Sequence, residues 1–461
     1  MSEPYSLTLA EMISAVRRKK LSPVELTESL LARIDSLEAT IKAWVTLPRV
    51  SLFKEARRCE QEARRGNFRG PLHGIPIGVK DIFYTAGMRT TGGSKIFEKL
   101  VPGFDSTPVA RLKKAGALIL GKTATTEFAM ADPAPTCNPW NPAHTPGGSS
   151  SGSAAAVATS MCPGALGSQT GGSVLRPAAY CGVVGLKPTA GRISRYGVFP
   201  LAYTLDHVGV LTRTVEDAAL LFEPLAGFDP LDAASSREPV AGLSRFRQPP
   251  RRPLRVGLIR AFYEKNSAQA AWENTAEALG KLSRAGARVE EVEMPASFAA
   301  VHDAHQIIQK VEAASFHERL FEKSPDLYRP KLRELVEIGQ LIPGVDYLRA
   351  QKIKGLFRRE METVLRNYDC LISPATSSSA PKGLASTGNP WFQAPWSLSG
   401  LPTIGLPSGL DSQGLPLALQ LVGKAYEEGL LLAAARWCEE VLGIALYRKL
   451  LAPQPERRSK T

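Results

Sequence analysis

The sequence is poor in the residues that usually mark metal or redox chemistry. Its 461 residues hold six cysteines and six histidines. No two of the cysteines, at 59, 137, 162, 181, 370 and 438, stand close enough for a C-x-x-C pair. In a chain this long they read as reduced, mostly buried thiols rather than a disulfide framework. No apolar run approaches the roughly 18 residues that a membrane helix needs. No apolar signal core follows the opening Met-Ser-Glu-Pro, so the expected compartment is the cytoplasm, with no membrane partner. Acidic residues are also outnumbered: 44 Asp and Glu stand against 57 Lys and Arg, a balance of +13. That excess is spread along the chain. Its densest cluster, Arg245 to Arg255, lies among prolines as a solvated connection does, so nucleic acid is not the expected partner. With 44% apolar and 22% charged residues, the composition is that of a soluble globular protein and argues against extensive disorder.

What is present is an alternating α/β texture framed by helices. Thr8 with Glu11, and Ser22-Pro23-Val24-Glu25, are capping boxes that open two N-terminal helices. A charged helix over about 53–65 follows. From Pro71, short apolar runs alternate with glycine-rich turns: Ile75 to Val79, Ala117 to Leu120, Ala165 to Ser168 and Val183 to Leu186. They are too short for helices and fit buried strands. Helices are expected between them at Thr107 to Lys114 and Gly152 to Met161. Residues 228–253 read as a surface linker, and 254–368 as a mainly helical insertion that opens on a strand at Leu254 to Ile259. Residues 369–455 return to the strands, through Tyr368 to Ser373, Thr403 to Leu406 and Leu417 to Leu421, and then to a helix over about 427–442. The tail 456–461 is expected to be disordered. The early and late strands share one texture. The expected fold is therefore one large α/β domain over 1–455, with N-terminal helices (1–66), a core (67–227) and a mixed central sheet covered by helices and interrupted by the insertion.

Two motifs match well-known patterns only formally. Gly116-Ala-Leu-Ile-Leu-Gly121-Lys122-Thr123 has the spacing of a phosphate-binding loop, yet its intervening residues form a buried strand where that loop must expose backbone N–H groups. Gly148-Ser149-Ser150-Ser151-Gly152 fits G-x-S-x-G, but the five prolines in residues 133–146 exclude the hydrophobic strand that a nucleophile elbow requires. His302 and His305 share a helical face, which reads as solvated surface rather than a metal site.

The strongest feature runs from Thr145 to Thr189. Two glycine–serine turns, Gly147-Gly148-Ser149 and Gly171-Gly172-Ser173, flank a stretch with no recognisable acid or base between the serines. Glycine pairs let a backbone approach a ligand closely. This stretch resembles the signature of the amidase signature family, and Gly74-Ile-Pro-Ile-Gly-Val-Lys80-Asp81 resembles the segment carrying that family's catalytic lysine. The likeness extends through SPVELTESLLARI, DSTPVARLKKAGALILGKT, TLDHVGVLTRTVEDAALL and SLSGLPTIGLPSGL to GLPLALQLVG.

The resemblance implies a hydrolase that cleaves a C–N bond of small linear amides, carboxylated amides or carbamates, with no cofactor and no metal. It casts Ser173 as the nucleophile, Ser149 as a serine preceded by a cis peptide, and Lys80 as the base. The bottom-up reading agrees on the need: a serine hydroxyl requires an adjacent base, no histidine stands in a recognisable motif, and a lysine buried in a dry site can be neutral. The oxyanion hole is assigned to backbone N–H groups of Thr170, Gly171, Gly172 and Ser173.

Two departures concern the substrate. Gln169 stands where the commoner family pattern has Asp. Arg176 lies three residues after the nucleophile rather than two, as in members resembling malonamidase, where the arginine helps bind a carboxylate. Gln169, Arg176 and Met130 are therefore candidate substrate contacts, with a structural role for Arg176 equally open. The acyl pocket is expected from Met130 to Trp140, the insertion, and Asn389 to Trp396, where Trp391, Phe392 and Trp396 line a pocket or pack a core. The expected partner is a small amide, with a homodimer admissible. The competing reading is a relative of the glutamyl-tRNA amidotransferase component that carries this same signature (its A subunit), working in a complex. Gln169, Arg176 and Thr126-Glu127-Phe128-Ala129 depart from the usual pattern of that component.

Overall fold

The computed structural model describes residues 3–130, 132–240, 246, 248 and 253–451. The tail expected to be disordered, and most of the Arg245–Arg255 cluster, lie outside them. Both capping boxes form. Thr8 and Ser22 accept from the backbone of Glu11 and Glu25, and both glutamates return the bond. The helix Pro23–Ile41 then buries Leu26, Leu30, Leu31 and Ile34 along one face.

Among the described residues the strands join in a single sheet. In chain order they are β1 (Trp44–Thr46), β2 (Pro76–Lys80), β3 (Leu118–Thr123), β4 (Gly164–Gln169), β5 (Val184–Lys187), β6 (His207–Thr212), β7 (Arg255–Leu258), β8 (Arg288–Glu291), β9 (Cys370–Pro374), β10 (Thr403–Leu410) and β11 (Pro416–Val422). Their order across the sheet is β1-β3-β2-β4-β6-β5-β10-β11-β9-β7-β8. β2 pairs parallel with both β3 and β4, whereas the middle of the sheet, from β4 through β6, β5, β10 and β11 to β9, is antiparallel. Early and late strands meet where β5 pairs with β10. β2 to β6 are buried at every position, as strands covered on both faces must be.

The region expected to be a mainly helical insertion opens on the expected strand and is largely helical, but it holds one further strand before about residue 296. Before that, β7, the helix Gln269–Arg284 and β8 form a parallel strand–helix–strand unit that extends the sheet beyond β9. β8 is a short charged edge, RVEE, with little hydrophobic signal. The helices Val301–Lys323, Pro330–Leu341 and Gly344–Leu365 then form the helical part.

Small residues decide how closely the centre packs. The helix Ser151–Ala158, SGSAAAVA, is buried at every position. A Cβ on its Gly152 would stand 2.3 Å from the carbonyl oxygen of Ala43 and 2.4 Å from the amide nitrogen of Ala124. The phosphate-loop lookalike is indeed β3. Its Lys122 is fully buried, 3.5 Å from Asp81, and donates to Thr90 Oγ1.

Candidate functional site

β2 carries Lys80 as its last residue, between β3 and β4, and the two glycine–serine turns close over it. Lys80 is fully buried, with Nζ 2.7 Å from Ser149 Oγ and 2.8 Å from Ser168 Oγ. The peptide between Gly148 and Ser149 is cis. Ser173 is brought against this turn by its own carbonyl, which accepts from Ser150 N–H at 3.2 Å. Burial holds the Lys80 ammonium well below its usual pKa, and the charge of Asp206 only partly opposes this. A neutral amine has one lone pair and two hydrogens. It can accept from Ser149 while donating to Ser168, so the two contacts are compatible with a base waiting for a proton.

Ser150, at the centre of the G-x-S-x-G match, has no base beside it. Its hydroxyl donates to Ser168 O and receives Ser168 N–H, both at 3.3 Å, which stitches the first turn to β4.

The second turn presents its backbone. Among the described residues no protein acceptor takes the N–H of Gly171, Gly172 or Ser173. Gln169, expected at the substrate, is fully buried and spends both ends of its amide on the protein. Oε1 accepts from the N–H of Val174 (2.9 Å) and Leu175 (3.0 Å), and Nε2 donates to Ser397 Oγ (3.1 Å). It braces the turn from behind, which corrects the expectation of a substrate contact. Thr170 Oγ1 donates to Asp206 Oδ1 at 2.5 Å, and Asp206 Oδ2 receives the N–H groups of Leu201 and Ala202.

Arg176 lies in the helix Leu175–Cys181 and is 5% exposed. Nη2 donates to Gly148 O (2.7 Å) and Thr387 Oγ1 (3.1 Å), whereas Nε and Nη1 are buried without a partner. Burial lowers its pKa to about 10, and it forms no ion pair among the described residues. Met130 is half-buried, and its sulfur accepts from Gln309 Nε2.

A cavity of about 570 Å³ adjoins this centre. Its polar wall includes Ser168, Thr170, Asp206 and His207, and its apolar wall Ala129, Phe199 and Leu201. The expected segments Met130 to Trp140 and Asn389 to Trp396 do not line this cavity, and neither do Lys80, Ser149, Ser173 or Arg176. Phe392 and Trp396 are core residues, 3% and 0% exposed, and only Trp391 reaches solvent. The segments 195–208 and 231–234 supply most of the cavity instead. The latter belongs to the expected linker, yet it is pinned: Asp229 accepts from Thr107 and Ser194. Only their place in the fold marks these segments as pocket walls.

The histidine reading also needs correction. His302 Nε2 contacts Trp391 O, but His305 is 1% exposed, with Nε2 3.0 Å from Thr170 O. The expected solvated face is in part a buried contact with the signature turn. Among the described residues one cluster, Cys59, Glu62 and His73, has metal-ligand proximity. It fits a metal poorly. His73 Nδ1 accepts from Arg69 N–H, its Nε2 contacts Cys59 O, and Glu62 is bound to Arg69. No helix among the described residues is long and apolar enough to cross a membrane.

The family profile described as Amidase matches residues 25–432. A curated relative from Halothermothrix orenii, the A component of its glutamyl-tRNA(Gln) amidotransferase, is 36% identical over 97% of this chain and 100% of its own length. A solved structure described as a vestigial protein complex revealing the evolutionary origins of an s-triazine catabolic enzyme aligns with TM-score 0.89 and 31% identity, covering 95% of this chain and 99% of that one. The native peptide amidase of Stenotrophomonas maltophilia aligns with TM-score 0.82 and 29% identity, covering 96% and 99%.

Proposed function

The chain belongs to the amidase family, the amidase-signature hydrolases of C–N bonds, and from that premise we propose that it hydrolyses small amides carrying a carboxylate, using Lys80, Ser149 and Ser173. The observation that carries the reading is the fully buried Lys80 amine, 2.7 Å from Ser149 Oγ, whose pKa burial lowers well below its usual value. Ser173 attacks the scissile carbonyl as its proton passes through the Ser149 hydroxyl to Lys80. The oxyanion is met by the N–H groups of the 170–173 turn. The same relay returns the proton to the leaving amine. The acyl-enzyme on Ser173 is then hydrolysed by water activated in the same way.

The carboxylate is inferred from Arg176. A buried guanidinium with two unpaired nitrogens is costly unless an anion completes it. Planar guanidinium suits a carboxylate, which it can grip through two bonds. The test is a screen of the purified chain alone against half-amides of diacids, neutral amides, anilides and carbamates. Turnover of half-amides ahead of the others supports the reading, and preference for neutral substrates overturns the substrate class.

A second reading, one component of an amidotransferase complex, is favoured by the full-length match to the Halothermothrix relative. It predicts no turnover by the chain alone and ammonia transfer only with the other components present.

A further inference from the structure

Two carbonyls of the signature turn are held from outside the signature. His305, on the helix Val301–Lys323, places Nε2 3.0 Å from Thr170 O. Ser397, on the helix Ala394–Ser399, donates its hydroxyl to Gly171 O at 2.7 Å. A carbonyl oxygen can only accept, so His305 carries its hydrogen on Nε2. The ring stays neutral, because burial lowers its pKa to about 4.

The consequence follows from peptide geometry. In a planar trans peptide the C=O and the next residue's N–H point in opposite directions. Fixing the Thr170 carbonyl on His305 turns the Gly171 N–H away from the insertion. Fixing the Gly171 carbonyl on Ser397 likewise turns the Gly172 N–H away from the helix Ala394–Ser399. Among the described residues neither N–H has a protein acceptor. Packing closes the alternative route. A Cβ on Gly171 would lie in van der Waals contact, 3.4 Å from both His305 Cε1 and Pro390 Cβ, and one on Gly172 would lie 2.4 Å from Gln393 Oε1, so the turn is packed closely on this side.

We propose that His305 and Ser397 are positioning residues that aim the Gly171 and Gly172 N–H groups at the oxyanion formed when Ser173 attacks. Neither touches the substrate; each acts through a backbone carbonyl. The inference rests on Ser173 as the nucleophile.

The experiment compares Ser397→Ala and His305→Ala with the donor-retaining Ser397→Thr and His305→Gln. Each is assayed for amide hydrolysis and for inhibition by phenylboronic acid, which adds to a serine oxygen as a tetrahedral anion. Direct loss of one oxyanion donor costs about 10²–10³ in kcat. A donor that is misaimed rather than removed should cost about ten- to hundredfold, with KM within about twofold, and phenylboronate affinity should fall by a similar factor. The donor-retaining pair should keep most of both. Wild-type kcat in both alanine variants overturns the inference, as does a lowered kcat with unchanged phenylboronate affinity. If the alanine variants do not fold, the Gln and Thr variants decide. Their phenylboronate affinity must stay near wild type, and a loss there overturns the inference. Turnover surviving in Ser173→Ala would instead remove the nucleophile assignment itself.

Discussion

Replacing Arg176 by methionine separates substrate recognition from scaffolding. The side chain makes two bonds to the protein, to Gly148 O and Thr387 Oγ1, and leaves Nε and Nη1 unpaired. The protein bonds serve every substrate, because Gly148 precedes the serine that contacts Lys80. The unpaired nitrogens serve only a substrate with an anion. A hydrogen bond to a charged group is worth about 1.5–3 kcal/mol, and each 1.4 kcal/mol is about a factor of ten. The preference for succinamate over butyramide, measured as a ratio of kcat/KM, should therefore fall by about ten- to hundredfold in Arg176→Met, whatever happens to both rates in common. Arg176→Lys keeps the charge but loses the planar fork, and should recover only part of that ratio. Equal losses on the charged and neutral substrates, or a lower melting temperature with an unchanged ratio, would show that the guanidinium only holds the Gly148 turn and would refute the carboxylate assignment.

The triad predicts that Ser173→Ala abolishes turnover and that Lys80→Ala and Ser149→Ala are nearly as severe, since residues acting as a unit are not additive; steady-state assays with and without EDTA check this, with no effect of chelator expected. On the proposed mechanism the active form of Lys80 is the free amine, so kcat/KM should rise with pH along one limb and then level off, and Lys80→Ala should lose that limb. Asp206 raises the Lys80 pKa against the larger effect of burial, so Asp206→Asn should move the midpoint of that limb to lower pH even if the rate itself also drops. The Lys122–Asp81 pair is fully buried, and Lys122→Met strands an unpaired carboxylate at a cost of about 3–5 kcal/mol, which denaturant unfolding should show and Asp81→Asn should partly relieve.

The strands that carry the site were legible because their apolar runs are short, mostly bounded by glycine, and largely buried. β2, β3, β4, β5, β9, β10 and β11 all fall on such runs. β8 was not legible: RVEE is a charged edge strand held by pairing with β7 rather than by burial. The motifs single out Lys80, Ser149 and Ser173 as candidates, and the structure sets Lys80 against Ser149, but Ser168 was not legible. Nothing in Ala165 to Ser168 distinguishes a serine that packs from one 2.8 Å from a buried amine. His305 was misread because HDAHQ looks like a wet helical face. Its burial comes from docking that helix onto a turn more than a hundred residues earlier in the chain, which no local periodicity encodes.

Gln169 shows how one departure from a family pattern can be linked to another residue far along the chain. The position commonly holds Asp, and a carboxylate could accept the N–H groups of Val174 and Leu175 as Gln169 Oε1 does. It could not donate. The amide orientation is fixed here, because two backbone donors require the oxygen on their side, so Nε2 must face Ser397 Oγ. Receiving that N–H leaves the Ser397 hydrogen free to point at Gly171 O. An ionised aspartate would instead compete for the Ser397 hydrogen and draw it away from the carbonyl. On the proposed mechanism Gln169 and Ser397 work as a pair: the amide makes the serine a donor to the turn, and the turn's N–H groups are left facing the oxyanion. On this argument Gln169→Asp should loosen the oxyanion turn. Gln169→Asp combined with Ser397→Ala should be no worse than Gln169→Asp alone, a double-mutant cycle that measures the coupling directly. Independent, additive losses in kcat would show that the two residues do not act through one another.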